Sequence, residues 1–399
     1  MEHVRRYRRG AALAAAFLAL LLTAQPTLAA SWGPTVTVSG DENAEVFPQA
    51  LAASSSALHL VYAVDGGSGR EVAYRRSADQ GATWSDPVVV SRPDDRGSGA
   101  PATVVAGAVI HVVWYALDPS TGEAAVWYRR SGDGGASWGE ATALSDPGMT
   151  NVGFPQIAVA GSAVVVAYTD AETGDVHVAR SGDGGTSFQP AITVGTTTWK
   201  YYSDDSLEGA PALAAGTGVV YLAYAASSRV VKLRRSLDGG AHWTTAVTME
   251  TASSGEPRIA ANGASAILVS GFYDSKTNSR AVVRRTTNKG ATWTANATVS
   301  VGSKASGAGP IAYGGGRWRL LYQQCIAQPC ATTGPRIALW YRDSADGITW
   351  SAATRATNPA RDAWTGGIAY GPGSRTWIAW SGTTDQEAVE GNVYVRSVK

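Results

Sequence analysis

Chemistry in this 399-residue chain must come from a few charged and aromatic clusters that interrupt an otherwise repetitive text rich in Val, Gly and Ser. In the stretch EPR, Glu256 and Arg258 alternate about Pro257, so in an extended strand both project to the same side. Such a pair either recognises a carboxylate-bearing ligand or satisfies itself as an ion pair. The segment GTTTWKYYSDDSLEGA (195–210) places Trp199, Tyr201 and Tyr202 beside Asp204, Asp205 and Glu208. Flat apolar faces next to carboxylate acceptors suit a sugar ring and its hydroxyls. The same composition also suits a solvated loop whose aromatics cover a seam. Two smaller clusters, Asp94, Asp95 and Arg96 (PDDR) and Arg361, Asp362 and Trp364 (RDAW), have the same mixed character. The five His are scattered at no metal-ligand spacing, so neither a metal nor another cofactor is expected.

The two cysteines, Cys325 and Cys330, have four residues between them. That is not the Cys-x-x-Cys spacing of redox catalysis, and in an exported chain the pair reads as a local disulfide. Closing so small a loop contributes about 2 kcal/mol on the chain-entropy estimate. Export is expected because Arg5, Arg6, Arg8 and Arg9 precede an apolar run at 11–22 and small residues near Ala29. This is the pattern of a secretory signal peptide over 1–30, too short in its apolar part to span a bilayer comfortably. Removing it leaves 29 basic and 31 acidic residues, a formal charge of −2. Neither a nucleic-acid footprint nor a polybasic membrane patch results. The expected product is a secreted or periplasmic-side monomer that, after cleavage, has no membrane association.

The elements that must position these clusters are set by a repeat of about 50 residues. Six tight turns end in an aromatic residue: SADQGATW (77–84), SGDGGASW (131–138), SGDGGTSF (181–188), SLDGGAHW (236–243), TTNKGATW (286–293) and DSADGITW (343–350). Each follows a strand ending in Arg, and Arg76, Arg130, Arg180, Arg235, Arg285, Arg342 and Arg396 are read as one recurring scaffold position. Before each turn come a Pro-started strand (FPQALAA at 47, FPQIAVA at 154), a very apolar strand (VIHVVWYAL at 109) and a third strand; a short fourth strand follows. Val, Ile, Tyr and Trp fill the strands, and Gly, Asp, Ser and Pro fill the turns. Four antiparallel strands per unit make one blade of an all-β propeller. The N-terminal SWGPTVTVS (31–39) matches a fourth strand, while 366–371, 375–380 and 392–398 supply three strands without a fourth. Six whole blades and a split seventh therefore close one domain over 31–399. Asp65, Asp118, Asp170 and Asp274, just after the second strands, read as hairpin-turn residues.

The S-x-D-x-G-x-x-W turns resemble the Asp-box, or BNR, repeats of sialidases and other secreted propellers, and the resemblance spans essentially the whole mature chain. It implies that the boxes lie on the face opposite the ligand site. An enzyme of this kind would use an Arg triad for a substrate carboxylate, a Tyr nucleophile paired with Glu, and an Asp acid/base. This chain departs from that pattern. It counts seven blades rather than six, and its first strand reads FPQAL where those enzymes carry Arg-Ile-Pro. The resulting expectation is a propeller that binds a glycan or glycoconjugate on the non-box face without a full catalytic set. An exo-α-sialidase-like glycoside hydrolase built around Arg258 and a protein-interaction scaffold are the alternatives.

Overall fold

The computed structural model describes residues 32–40, 43–66, 69–92, 97–118, 121–197, 210–227, 230–252, 257–275, 278–300, 306–326, 337–357, 362–364, 366–371, 375–383 and 391–398. Every regular element among them is a β-strand. The strands form seven antiparallel sheets, each with at least four strands. Blade 3 shows the plan. Gln156–Ala160, Ala163–Thr169, Asp175–Ser181 and Gln189–Thr196 pair in chain order from the inside outward. Its second strand, AVVVAYT, is buried along its whole length, because it packs against neighbouring blades on both faces. That explains a continuous apolar run where a one-sided sheet would alternate. The outer strand is mostly exposed.

The first strands of the blades stand side by side around the axis: Leu51–Ala53, Gly99–Ala106, Gln156–Ala160, Ala212–Gly216, Arg258–Asn262, Ser306–Gly314 and Ile368–Tyr370, the last returning to the first. Closure is made by the chain ends. Trp32–Thr37 pairs with Asn392–Val398 in the order 398–32, 396–35, 395–36 and 394–37, so the N-terminal segment is the fourth strand of blade 7. Trp32 also takes the place of a box aromatic. It meets Tyr341 of blade 6 edge-on at 5.2 Å, as Trp138 meets Tyr74 at 5.0 Å and Phe188 meets Tyr128 at 4.7 Å. The N-terminal strand thereby covers the edge that Asn392–Val398 would otherwise leave unpaired.

The register corrects the reading of seven equivalent Arg residues. Arg76, Arg130, Arg180, Arg235 and Arg285 pair with His59, His111, Val165, Tyr221 and Ile267. In blade 6 the pairing at this level is Arg319 with Asp343, and Arg342 sits one residue earlier opposite Leu320. In blade 7 Trp377 faces Ser397, and Arg396 again sits one residue earlier opposite Ile378. The sixth turn is one residue shorter than the others. Ser344 and Asp346 hold it, and Gly347 N donates to Ser344 Oγ at 2.7 Å from three residues away rather than four. Counting back from Trp350 therefore hides a deletion.

Asp343, now at the Arg position, is gripped by Arg319 through Nε and Nη2, each at 2.5 Å. Arg319 is 2% exposed and lies over the Tyr341 ring at 4.8 Å. A charge-reversed pair thus replaces the scaffold Arg in the blade that adjoins the split blade.

Candidate functional site

Five of the six boxes are turns held by hydrogen bonds to a Ser and an Asp, and in blade 5 Thr286 and Asn288 take these places. In blade 2, Ser131 Oγ donates to Asp133 Oδ1 at 2.7 Å and accepts from Gly135 N at 2.8 Å. Ser137 N and Oγ donate to the two Asp133 oxygens at 2.9 and 2.5 Å. These bonds, the Ser137 hydroxyl first, hold the Asp133 carboxyl well below the usual carboxylate range. Two successive residues of the turn adopt positive φ, 73° at Gly134 and 93° at Gly135, which is why Gly recurs there.

The pre-box Arg then reaches the next blade. Arg130 Nη1 donates to Gly184 O at 2.9 Å, Arg180 Nε to Gly239 O at 3.0 Å and Arg235 Nη1 to Lys289 O at 2.5 Å. The acceptor is the same turn position each time, so these Arg residues staple blade to blade. Backbone bonds also tie the boxes to the turns after the first strands, as Gly134 N to Ala108 O and Gly184 N to Ser162 O. The boxes therefore gather on the face where the inner strands end.

The inner strands begin at the opposite face, and the axis between them holds a cavity of 310 Å³ lined by residues of all seven. Its wall is mostly Ala, Ile, Leu and Val, with Gln49, Thr103, Gln156, Tyr313 and Tyr370; Arg258 is its one charged residue among the described ones. Gln49 crosses from blade 1. Its amide donates to Leu213 O at 3.3 Å, its carbonyl accepts from Ile157 N at 3.0 Å, and its backbone oxygen accepts from Thr103 N at 2.9 Å. One side chain thereby ties blade 1 to blades 3 and 4. Phe47 and Phe154, just upstream on the chain, pack at 5.9 Å, with Tyr115 against Phe154 at 5.8 Å. Arg258 is half-buried, and its Nη1 donates to the carbonyl of Pro257 at 2.9 Å.

Of the ligand-binding candidates singled out from the sequence, Arg258 is the one whose side chain is described, and it stands on an inner strand facing the cavity. Glu256, Asp94, Asp95, Arg96, Arg361, Trp199, Tyr201, Tyr202, Asp204, Asp205 and Glu208 lie outside the described residues. Asp362 and Trp364 belong to a strand, Asp362–Trp364, paired with Thr383, Gly382 and Ser381, rather than to a plain connection between blades. Their side chains also lie outside the described residues. Cys325 ends the strand Arg317–Cys325 and is disulfide-bonded; Cys330 lies outside the described residues. Asp118 and Asp170 close hairpins, Asp170 Oδ1 accepting from Glu172 N at 2.9 Å.

Sequence reasoning did not single out Gln49 or the Arg319–Asp343 pair. The FPQ repeat marks Gln49 and Gln156 alike, but only the ring geometry shows that Gln49 reaches across. Also unanticipated were two buried His–Tyr pairs beneath the boxes. His59 Nδ1 lies 2.8 Å from Tyr74 Oη, and His111 Nδ1 lies 2.7 Å from Tyr128 Oη. Burial first, then the nearby Arg76 and Arg130, pushes both imidazoles down to about 4.

Comparison with known proteins places this geometry. No curated protein matches the chain. Among solved structures, an ulvan lyase from a polysaccharide lyase family superposes with a TM-score of 0.57 at 11% identity, over 90% of this chain and 95% of that one. A leech intramolecular trans-sialidase gives 0.52 at 13% identity, over 73% and 67%. A Hadza microbial sialidase gives 0.49 at 16% identity; 70% of this chain is covered, and the match spans 63% of that protein's length. At such identities the likeness is one of fold. The model of the BNR repeat-like domain matches residues 21–267, which run from before the closing strand into blade 5. With its sequence matched over that span and its boxes built as above, the chain belongs to the BNR repeat-like domain family, as a sialidase-like propeller of seven blades.

Proposed function

We propose that this is an exported glycan-binding propeller whose ligand site lies on the face opposite the boxes. In this reading Arg258 meets an acidic group of the glycan, and residues of 94–96, 199–208 and 361–364 contribute from the connections between blades. No complete Arg-triad, Tyr and Glu set takes part. The observation that carries the reading is the division of labour between the faces. On the box face Ser131 and Asp133 close their turn and Arg130 and Arg180 bond to the next blade, whereas Arg258 brings the one charge among the described lining residues to the axial cavity. A guanidinium in such surroundings favours carboxylate or sulfate partners.

The test pairs a glycan array with a panel of fluorogenic glycosides, including a sialoside, on the purified mature protein. Expected are binding of acidic glycans, weakened roughly tenfold in Arg258→Ala and also in Trp199→Ala or Tyr202→Ala, and no turnover. Turnover that disappears in Arg258→Ala would establish a glycosidase instead. Absence of any glycan binding would leave the scaffold alternative standing.

A further inference from the structure

A second recess lies on the box side of the ring, between blades 4 and 5. It has a volume of 210 Å³ and is lined by residues of the outer strand Val247–Glu250, by Arg235 and Arg284, and by the box turn Gly290–Trp293. Its floor is apolar, with Leu233 and Met249 each 3% exposed. Trp293 forms part of the wall, edge-on to Tyr221 at 6.0 Å. Thr248 and Thr292 bring hydroxyls.

Two guanidiniums face this recess with donors to spare. Arg235 uses Nη1 on Lys289 O, and Arg284 uses Nη1 on Thr294 O at 3.4 Å. Each guanidinium has five N–H donors, and the buried Nε of Arg284 has no partner among the described residues.

The electrostatics of this box set it apart. Five of the six boxes carry a carboxylate at the third position of the turn: Asp79, Asp133, Asp183, Asp238 and Asp346. In blade 5 the residue is Asn288, which keeps the turn bonds, accepting from Thr286 Oγ1 at 2.9 Å and from Thr292 N at 3.0 Å. The fold is preserved and the negative charge is gone. The following residue is Lys289, where blades 2, 3 and 4 have Gly134, Gly184 and Gly239. No carboxylate lines the recess among the described residues. The nearest one on its strand, Glu250, is buried and taken up by Thr251 N, Ala252 N and Asn296. Arg235 of blade 4 and Arg284 of blade 5 therefore face the recess beside a box turn without a carboxylate, Asn288 being joined to the lining through its Nδ2 bond to Thr292 Oγ1 at 2.9 Å.

We propose that this recess is a second binding site, for a ligand the size of one sugar ring bearing an oxyanion. The carboxylate or sulfate would lie against Arg284 and Arg235, and the ring against Trp293 and Val247. The site is separate from the axial one and stands whether or not that one binds glycans.

The test uses Arg258→Ala as the parent protein, which removes the axial cation. Methyl glucuronide, glucose 6-sulfate and neutral methyl glucoside are titrated, with ligand-observed NMR and tryptophan fluorescence as readouts. One or both acidic sugars should bind, and the two arms tell carboxylate from sulfate. Asn288→Asp restores the turn of the other boxes, so it should keep the melting temperature while lowering affinity roughly tenfold. Arg284→Gln should weaken binding comparably. Failure of both acids to bind, equal binding of the neutral glucoside, or affinity unchanged in a folded Asn288→Asp would each overturn the proposal.

Discussion

His59 and His111 show what a repeat does to single residues. Each is 2% exposed, each faces a pre-box Arg across the strand pair, and each is held by the Tyr of its own blade. A charge on either ring would have to sit unsolvated beside a guanidinium, so both are kept neutral. Their folded values near 4 lie below the ordinary 6.5. Stability from this source is therefore complete above pH 6.5 and is lost as pH falls toward 4, because the unfolded chain binds protons that the folded chain refuses. Each histidine accounts for a loss of about 3 kcal/mol across that window. The box carboxylates are also depressed, Asp79 to about 2, so their contribution fades only below the ordinary carboxylate range. Thermal melts of the His59→Gln/His111→Gln double variant should show a flatter fall between pH 6.5 and 4 than the parent; an equal slope would refute the assignment. At this scale the sequence was legible where a side chain serves the repeat and opaque where it stands outside the repeat. Arg258 could be placed from alternation about Pro257, but the aromatic and acidic residues of 199–208 follow no period, so nothing local fixes where they stand.

At the scale of the element, the box turn is a fixed backbone shape filled by variable residues. Its fourth position has φ of 73° at Gly134, 72° at Gly184 and 70° at Gly239, and nearly the same value at two residues with side chains, 59° at Gln80 and 57° at Lys289. Left-handed backbone costs an L residue about 1 kcal/mol. Lys289→Gly should therefore raise stability by up to about 1 kcal/mol, less what the freer unfolded chain takes back. Denaturant unfolding measures it, and a clear loss of stability would contradict the account. Gly185 is the opposite case, since a Cβ there would come within 1.9 Å of Tyr128 Oη. These turns are the most legible part of the chain, because Ser, Asp, Gly and the aromatic each answer a local demand at fixed spacing. The same regularity misled at Arg342 and Arg396. An aromatic-to-Arg count absorbs a one-residue deletion silently, and only cross-strand pairing reveals that Asp343 and Ser397 hold the level in question.

At the scale of the molecule, the staples run in one direction, from blade 2 to 3, 3 to 4 and 4 to 5. In blades 6 and 7 the third-strand residue at that level is Asp343 and Ser397 rather than Arg, and the sheet of blade 7 is completed across the chain ends. The strand Trp32–Thr37 should carry a large share of closure. Its deletion exposes the edge of Asn392–Val398 and uncovers Tyr341, and the melting temperature should fall sharply. An unchanged value would mean that the ring closes by other contacts. Seven blades and their closure were readable from the sequence because each end supplied what the other lacked. The reach of Gln49 across the axis was not, since it depends on how closely seven strands converge.

The split blade has one more consequence. Trp32 and Val398 are direct partners in neighbouring strands, so the gap in the backbone falls where every other blade has a box. Geometrically Trp32 and Val398 stand as the two sides of an opened turn, and the ring is a circle cut at one of seven comparable places. A peptide of box length joining Val398 to Trp32, with the cut moved to another turn, describes the same ring with a different beginning. Which blade is numbered first is a property of the chain, and the circle is indifferent to it.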